Sequence, residues 1–445
     1  MRSSRLIFCL AISIACSLAH LGRAAELRAG VARMDLTPPA ELNAALGGYG
    51  ERMSRPAEGV HDRVFAKTLV ISDGAKRFAL VTADVLGFPP GFKTALVERL
   101  ADAGWTADRI LLLPSHSHTS IDLNAINPRN VFGVPQIGVY QPELFELVVE
   151  RLAEVVRRAE RELAAVVVGT SSRELPDWTR NRRHDDGPTD PELTVTRIDT
   201  ADGKPLAVLF HFTAHPTIMG PEHMLFSGGW PGHAQRTLEA LVGEDATAMF
   251  YNGAQGDQRP AARPDSGPSR WETAERYGRE LAIEAWRQWQ AIEPRADVAF
   301  DDHLQTIKLP QRRIWHPDFL ETGGEEYGLS EALLSKALPL LFPAETGSVS
   351  LRLGDLVIVG APGELIAELG LRVQREAAEI TGARHVVVGG LADEWISYIL
   401  SEAEYRQGGY EASVSFYGPT LGETIVTGML EGARHLKSSR EAASK

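Results

Sequence analysis

The chain has 445 residues, 44% of them hydrophobic and 24% charged, the balance of an ordinary soluble globular protein with room for one large domain or two. Its formal net charge of −13 argues against nucleic acid as a partner and against strong adhesion to anionic lipid. Both cysteines, Cys9 and Cys16, fall in the first 24 residues, so a chain processed there carries no thiol nucleophile, no cysteine-based metal site and no disulfide.

Residues 1–24 read as a secretory signal: Arg2 and Arg5 precede an apolar run over 6–18, and Gly22-Arg23-Ala24 offers a small-x-small cleavage site. The run is too short to span a membrane, and Ser13 is a poor residue for a lipidation box before Cys16. The expectation is export to the periplasm or the exterior, with at most transient membrane contact. Loss of three arginines would take the net charge to about −16.

After the signal, 27–36 alternates as a strand and stops at Pro38-Pro39, and glycines 47, 48 and 50 around Tyr49 make a loop that other groups can approach closely. Residues 64–71 and 78–81 form a hairpin about Ser72-Asp73-Gly74, with Asp84 just beyond, and 92–103 has helical spacing. Four apolar residues, 110–113, then make a buried strand that Pro114 ends. His116 and His118 follow. Two apart in extended chain, they would point the same way and face one cleft. A helix over 142–163 and a strand over 166–170 lead to a polar loop, 178–189, bearing Arg180, Arg182, Arg183 and His184.

Strands 193–198 and 206–212 form a second hairpin that runs into His215, and a helix over 231–241 precedes a strand, 246–251, followed by Asp257. A Pro-rich loop (259–268), a helix (271–291) and a strand (298–309) come next, then a loop and helix reaching 342. Two strands over 348–360 end at Ala361-Pro362-Gly363, with a helix opening at Glu364. A strand at 385–388, an aromatic and acidic loop over 395–418, a helix at 424–436 and a frayed tail at 437–445 complete the chain. The expected fold class is α/β: a mixed β-sheet core with flanking helices and the active site at the C-terminal ends of strands, because His116, His215, Asp257 and Glu364 each lie just past one.

A catalytic zinc takes about three or four N and O ligands and keeps a position for water. Without cysteine the candidates are His, Asp, Glu and Tyr, and spacing does not choose among them. The chain does, however, resemble the neutral, non-lysosomal ceramidase family in its N-terminal catalytic domain, in motif order from about 29 to 436. Ala29 to Thr37 is similar to that family's opening strand, and Gly59-Val60-His61-Asp62-Arg63 to its next motif. Ser115-His116-Ser117-His118-Thr119-Ser120 resembles its Thr-His-Thr-His-Ser element. Ala214-His215-Pro216-Thr217 and Pro362-Gly363-Glu364 match further pieces, and Tyr398, Tyr405, Tyr410-Glu411 and Tyr417-Gly418-Pro419 reproduce its Tyr-rich block.

The resemblance implies one Zn2+ held by His116, His215, Glu364 and Tyr398, with His118 as general acid/base and Arg182 and Tyr410 on the substrate amide oxygen. It implies an exported amidohydrolase that cleaves the N-acyl bond of ceramide or a ceramide-like lipid, using hydroxide generated at the zinc near neutral pH. The expected layout is a signal over 1–24, a catalytic domain over 25–436 and the tail. Asp84, His61 and Asp257 are expected to support the site or its turns. The sequence departs from the family at Arg183-His184-Asp185-Asp186-Gly187, at Ser227-Gly228-Gly229-Trp230 and at Gly256-Asp257-Gln258-Arg259-Pro260, and the expectation is a catalytic domain without the further C-terminal β-sandwich that the resemblance would imply. Those departures keep open a zinc hydrolase of another amide or an ester, or a zinc- or ligand-binding protein without turnover.

Overall fold

Alternation at period two assembles the centre of the molecule. Leu69, Ile71, Phe78, Leu80, Leu111 and Leu113 point into one apolar cluster, while Val70, Ala79, Val81, Ile110 and Leu112 between them point into another. Strands buried on both faces must be covered on both, and here a second sheet covers one face and helices the other. The computed structural model describes residues 26–243, 245–262, 269–312, 316–321, 324 and 330–436. The expected signal, the C-terminal tail and residues 263–268 of the Pro-rich loop lie outside the described residues.

The larger sheet has eight strands: β1 (Arg28–Asp35), β2 (Phe65–Ser72), β3 (Arg77–Ala83), β4 (Ile110–Pro114), β5 (Ala164–Glu174), β6 (Glu192–Thr200), β7 (Pro205–Phe212) and β8 (Thr247–Asn252), in the order β8-β7-β6-β5-β1-β2-β3-β4. The smaller one has four, β9 (Phe300–Lys308), β10 (Glu345–Leu353), β11 (Leu356–Gly360) and β12 (His385–Gly389), in chain order. Val349, Leu351, Leu356 and Ile358 of the small sheet share a core with Leu80, Leu111, Leu209 and Met249 of the large one, so the sheets pack face to face.

Helices α1 (Phe92–Arg99), α2 (Pro142–Arg161), α3 (Gly229–Val242) and α4 (Arg270–Gln290) cover the outer face of the large sheet. Helix α2 does so because Leu144, Val148, Leu152, Val155 and Val156 recur on one side of it. Helices α5 (Glu331–Leu341), α6 (Ala367–Thr381) and α7 (Leu421–Arg434) cover the small sheet. The result is a four-layer helix–sheet–sheet–helix α/β fold, as expected for the class.

One unit recurs three times. An antiparallel hairpin is followed by a crossover to a strand parallel with the hairpin's second strand: β2-β3 with β4, β6-β7 with β8, β10-β11 with β12. The parallel pairs β3/β4, β7/β8 and β11/β12 each leave their C-terminal ends at a common rim, where the chain departs the sheet and side chains can converge.

Three elements differ from the sequence reading. No helix opens at Glu364: Glu364–Leu365 pairs in parallel with Tyr398–Ile399, and α6 starts only at Ala367. Gly363 makes this possible, since a Cβ there would sit 2.5 Å from the carbonyl oxygen of Ser397. The polar loop after Trp178 contains a short strand, Thr179–Asn181, paired with Gln258–Pro260. The aromatic stretch from 395 holds two short helices, Glu402–Gln407 and Gly409–Ser413, the first capped by Ser401.

Gly30 lies where β1 crosses the end of α2, and a Cβ there would come within 2.2 Å of the Ala159 carbonyl oxygen. Backbone cannot yield as a side chain can, so Gly30→Ala is expected to cost about 1–3 kcal/mol. Urea unfolding of the variant and the parent checks this; equal midpoints would contradict the packing.

Candidate metal centre

The chain leaves β4 through Pro114-Ser115 and turns sharply at His116, whose φ of 63° is unusual for any residue but glycine. The two histidines of the His-x-His therefore converge through a left-handed turn, not through the extended backbone expected from the sequence. The turn is held by the His116 amide donating to Val85 O (3.2 Å) and by Nδ1 of His116 against Leu86 O at 2.5 Å. That bond puts the proton on Nδ1 and leaves Nε2 of His116 with a lone pair facing inward. His215, three residues past β7, brings its Nε2 to 3.1 Å from His116 Nε2 and 3.0 Å from His118 Nε2, and the His116–His118 separation is 3.3 Å.

No arrangement of protons on three neutral rings satisfies all three of these contacts. With His116 Nε2 an acceptor, either a pair of lone pairs or a pair of N–H groups always faces across one of them. Protonating the rings is opposed by burial, which holds all three below their ordinary 6.5, and the Arg182 guanidinium adds to this. Glu364 Oε2 lies 3.6 Å from His116 Nε2 and 3.8 Å from His215 Nε2, is buried, and has no hydrogen-bond partner among the described residues. Its Oε1 accepts from Trp395 Nε1 at 2.9 Å, which fixes the carboxylate plane. Converging nitrogen lone pairs beside an orphaned carboxylate oxygen suit a divalent cation, and the His116, His118 and His215 group could bind a metal.

The three imidazoles are not held alike. His116 and His215 each have a carbonyl on Nδ1, Leu86 O and Gln255 O (3.3 Å), the second contact that normally orients a ligand imidazole. Nδ1 of His118 is buried with no hydrogen-bond partner among the described residues. Shape holds His118 instead. Gly48, at φ +95°, lies flat against its ring, where a Cβ would sit 2.3 Å from Nδ1, and the Tyr49 ring packs edge-on at 4.9 Å. Arg52, 1% exposed, ties this loop down by donating through Nη1 to both Gly47 O and His118 O at 2.5 Å.

Arg182 is the loop arginine that reaches the centre. Nη2 donates to the Tyr398 hydroxyl at 2.9 Å, Nη1 stands 3.4 Å from His215 Nδ1, and Nε pairs with Glu411 at 2.8 Å. Burial opposes its charge, but Tyr398, Glu411 and Glu364 outweigh burial and hold its pKa above the ordinary arginine value. Arg183 turns to Glu404 and Glu411, and Arg180 is exposed beside Asp177. Tyr398 is paired in register with Glu364 and stacks edge-on with Tyr410 at 5.8 Å. Glu411, which bridges Arg182 and Arg183, was only part of a motif in the sequence. Asp257 lies one layer out, where Oδ1 accepts from the Ala367 amide and Oδ2 from Asn181, joining the arginine strand to the Glu364 loop. Asp84 bonds to the Phe65 amide and Gln235, and His61 pairs with Asp62; neither reaches the cluster.

A cavity opens directly from the cluster, with His116, His118, Glu364, Tyr398 and Tyr410 in its lining. The C-terminal part of the chain contributes an apolar wall, among it Phe319, Leu338, Phe342 and Phe416. The N-terminal part contributes a mixed lining, apolar Leu46, Leu86 and Ile137 beside Tyr49, Asp122 and Asn124.

The sequence profile described as "Neutral/alkaline non-lysosomal ceramidase, N-terminal" matches residues 27–266 and 339–426. The chain is 23% identical over 493 residues to the neutral ceramidase of Pseudomonas aeruginosa, covering 92% of this chain and 72% of that protein. With the neutral ceramidase of Mycobacterium tuberculosis the identity is 25% over 456 residues, covering 83% and 71%. A solved structure of a ceramidase complexed with C2 superimposes with a TM-score of 0.79 at 21% identity over 92% of this chain and 75% of that one.

Burial also holds His211 down at about 4. In the unfolded chain these imidazoles take up protons as pH falls through 6.5, whereas the folded chain resists until well below. The stability of metal-free protein is therefore complete above about pH 6.5 and is lost progressively on acidification toward about pH 4. Urea midpoints measured across that range are expected to fall with pH; a flat profile would mean the rings are not buried and neutral.

Proposed function

The chain belongs to the neutral/alkaline non-lysosomal ceramidase family, and from that premise we propose that it is a zinc-dependent amidohydrolase cleaving the N-acyl bond of ceramide or a ceramide-like lipid. The observation that carries the reading is a buried cluster of imidazole lone pairs and one orphaned carboxylate oxygen opening onto a cavity with an apolar wall. The apolar wall favours a lipid over a small polar amide, because an acyl chain gains about 0.8 kcal/mol per buried methylene. Residues 25–436 would act as one catalytic unit, reached after export on the signal at 1–24. No described helix is long and apolar enough to cross a membrane.

His116, His215, Glu364 and Tyr398 would hold the metal. Zinc bound there would polarise the amide carbonyl and supply an activated water near neutral pH. Support for the two histidines is the carbonyl that each meets at Nδ1, leaving Nε2 to the cation. His118 has no such carbonyl among the described residues, and its ring would take a proton at Nε2 and deliver it to the departing amine nitrogen. Arg182 stays charged and donates to the Tyr398 hydroxyl. With Tyr410 it would meet negative charge growing on the amide oxygen, a contribution worth about 3–4 kcal/mol per well-placed donor. Glu411 keeps the guanidinium aimed, through its 2.8 Å bond to Nε.

Incubating purified protein with N-acylsphingosine is expected to release fatty acid and sphingoid base, and a chelator should stop the release until zinc is returned. Absence of chelator-sensitive release would refute the lipid assignment. Separately, His116→Ala and His215→Ala should lose bound metal, whereas His118→Ala should keep it and lose about 100- to 10,000-fold in kcat. Metal analysis and steady-state kinetics of the three variants separate the roles, and metal loss in His118→Ala would instead make His118 a ligand.

A further inference from the structure

Arg52 is a buried cation that forms no ion pair with a carboxylate among the described residues, and its whole hydrogen-bonding capacity goes to backbone beside the imidazole cluster. We propose that Arg52 is the positioning residue for His118: through the His118 carbonyl it fixes where that ring stands against those of His116 and His215, so that turnover depends on Arg52 and metal retention does not. The inference rests on the amidohydrolase reading for what His118 does.

Each N–H of the guanidinium meets a backbone carbonyl. Nη1 donates to Gly47 O and His118 O, both at 2.5 Å, Nη2 to Gly220 O (3.2 Å) and His223 O (3.0 Å), and Nε to Pro221 O (3.2 Å). Burial lowers its pKa to about 10, which still leaves it charged at neutral pH. Burying a charge without a counter-ion is costly unless dipoles compensate it, and here carbonyl oxygens from three separate segments do so. A planar fork with fixed donor directions holds those segments at fixed distances from one another, which a single ammonium group on a flexible stem cannot do.

The three imidazoles differ in how far they need this fork. The rings of His116 and His215 are aimed by carbonyls at Nδ1, from Leu86 and Gln255, neither of which Arg52 touches. The aim of the His118 ring is left to its backbone and to the flanking Gly48 and Tyr49. Arg52 controls all of these. It takes the carbonyls of His118 and Gly47, its own amide donates to Tyr49 O at 3.2 Å, and its guanidinium lies 4.9 Å from the centre of the Tyr49 ring. The far end of the fork is anchored in the turn that follows His215, closed by the His223 amide on Gly220 O (3.1 Å) and the Gly220 amide on His223 Nδ1 (3.2 Å). The Tyr49 hydroxyl donates to Met219 O beside that turn at 2.8 Å. His118 is therefore set against the very segment that carries His215, whose Nε2 stands 3.0 Å from its own.

The test uses Arg52→Met, which keeps the length and removes the donors, and Arg52→Lys, which keeps the charge and loses the fork. With N-acylsphingosine as substrate, Arg52→Met is expected to lose about 10- to 100-fold in kcat, with KM within about twofold and metal content equal to wild type. Arg52→Lys should lie between the two. A second reading needs no turnover: in protein carrying isotope-labelled histidine, the ring resonance that disappears in His118→Ala should shift or broaden in Arg52→Met, while those that disappear in His116→Ala and His215→Ala stay in place. A lower Tm with unchanged kcat in the folded variant would make Arg52 structural only and overturn the proposal, as would loss of metal or an unmoved His118 resonance. Should Arg52→Met fail to fold, Arg52→Lys decides by the same readings. If wild type hydrolyses no amide, the resonances alone decide: a shift confined to His118 would uphold the positioning by Arg52 and leave the amidohydrolase reading refuted.

Discussion

Everything at the rim depends on one electrostatic constraint: three imidazole nitrogens lie within 3.3 Å of one another, with a carboxylate oxygen beside them that nothing among the described residues donates to. Left to itself such a cluster is unfavourable, since burial denies the rings the charge that would turn repulsion into hydrogen bonding. A divalent cation resolves the conflict in one stroke. Its binding energy would then also stabilise the fold around it, because the same cluster is costly when empty and favourable when filled.

Holding that cluster together requires more of the molecule than its own side chains. Leu86 O fixes the His116 ring and Gln255 O faces that of His215, while Trp395 fixes the Glu364 carboxylate. Asp257 ties the Arg182 strand to the start of α6, and Gly256 lets that turn lie against the Glu364 and Leu365 carbonyls, at 2.6 and 3.0 Å from where a Cβ would stand. The recurring hairpin-and-parallel-strand unit explains the geometry. Each unit delivers one side chain at the end of a parallel pair, so three distant segments meet without a long loop among them.

The cavity reflects the same division of the chain. The segment that carries the His-x-His lines it with a mixture of apolar and polar side chains, and the segment around α5 and the aromatic block lines it with apolar ones. Part of the apolar wall, Phe319 and Leu338, lies outside the stretches matched to the family profile.

Local pattern was enough for the strands, the helices and their class, because period two and period 3.6 are written in neighbouring residues. The placement of His116, His215, Asp257 and Glu364 after strand ends was readable for the same reason. Motif resemblance identified the family that the profile match bears out. What local pattern could not reveal were contacts between segments far apart in the chain. The sequence reading put a helix at Glu364, where pairing with Tyr398 makes a strand, and it brought the two histidines together by extended geometry where a left-handed turn does so. Resemblance alone singled out Arg182 from Arg180 and Arg183, and the physical basis for the choice is contact with Glu404 and Glu411, more than 200 residues on. The packing of Gly48 and Arg52 around His118 was unreadable, since burial and the direction a side chain faces are properties of the packed molecule and not of its neighbours in sequence.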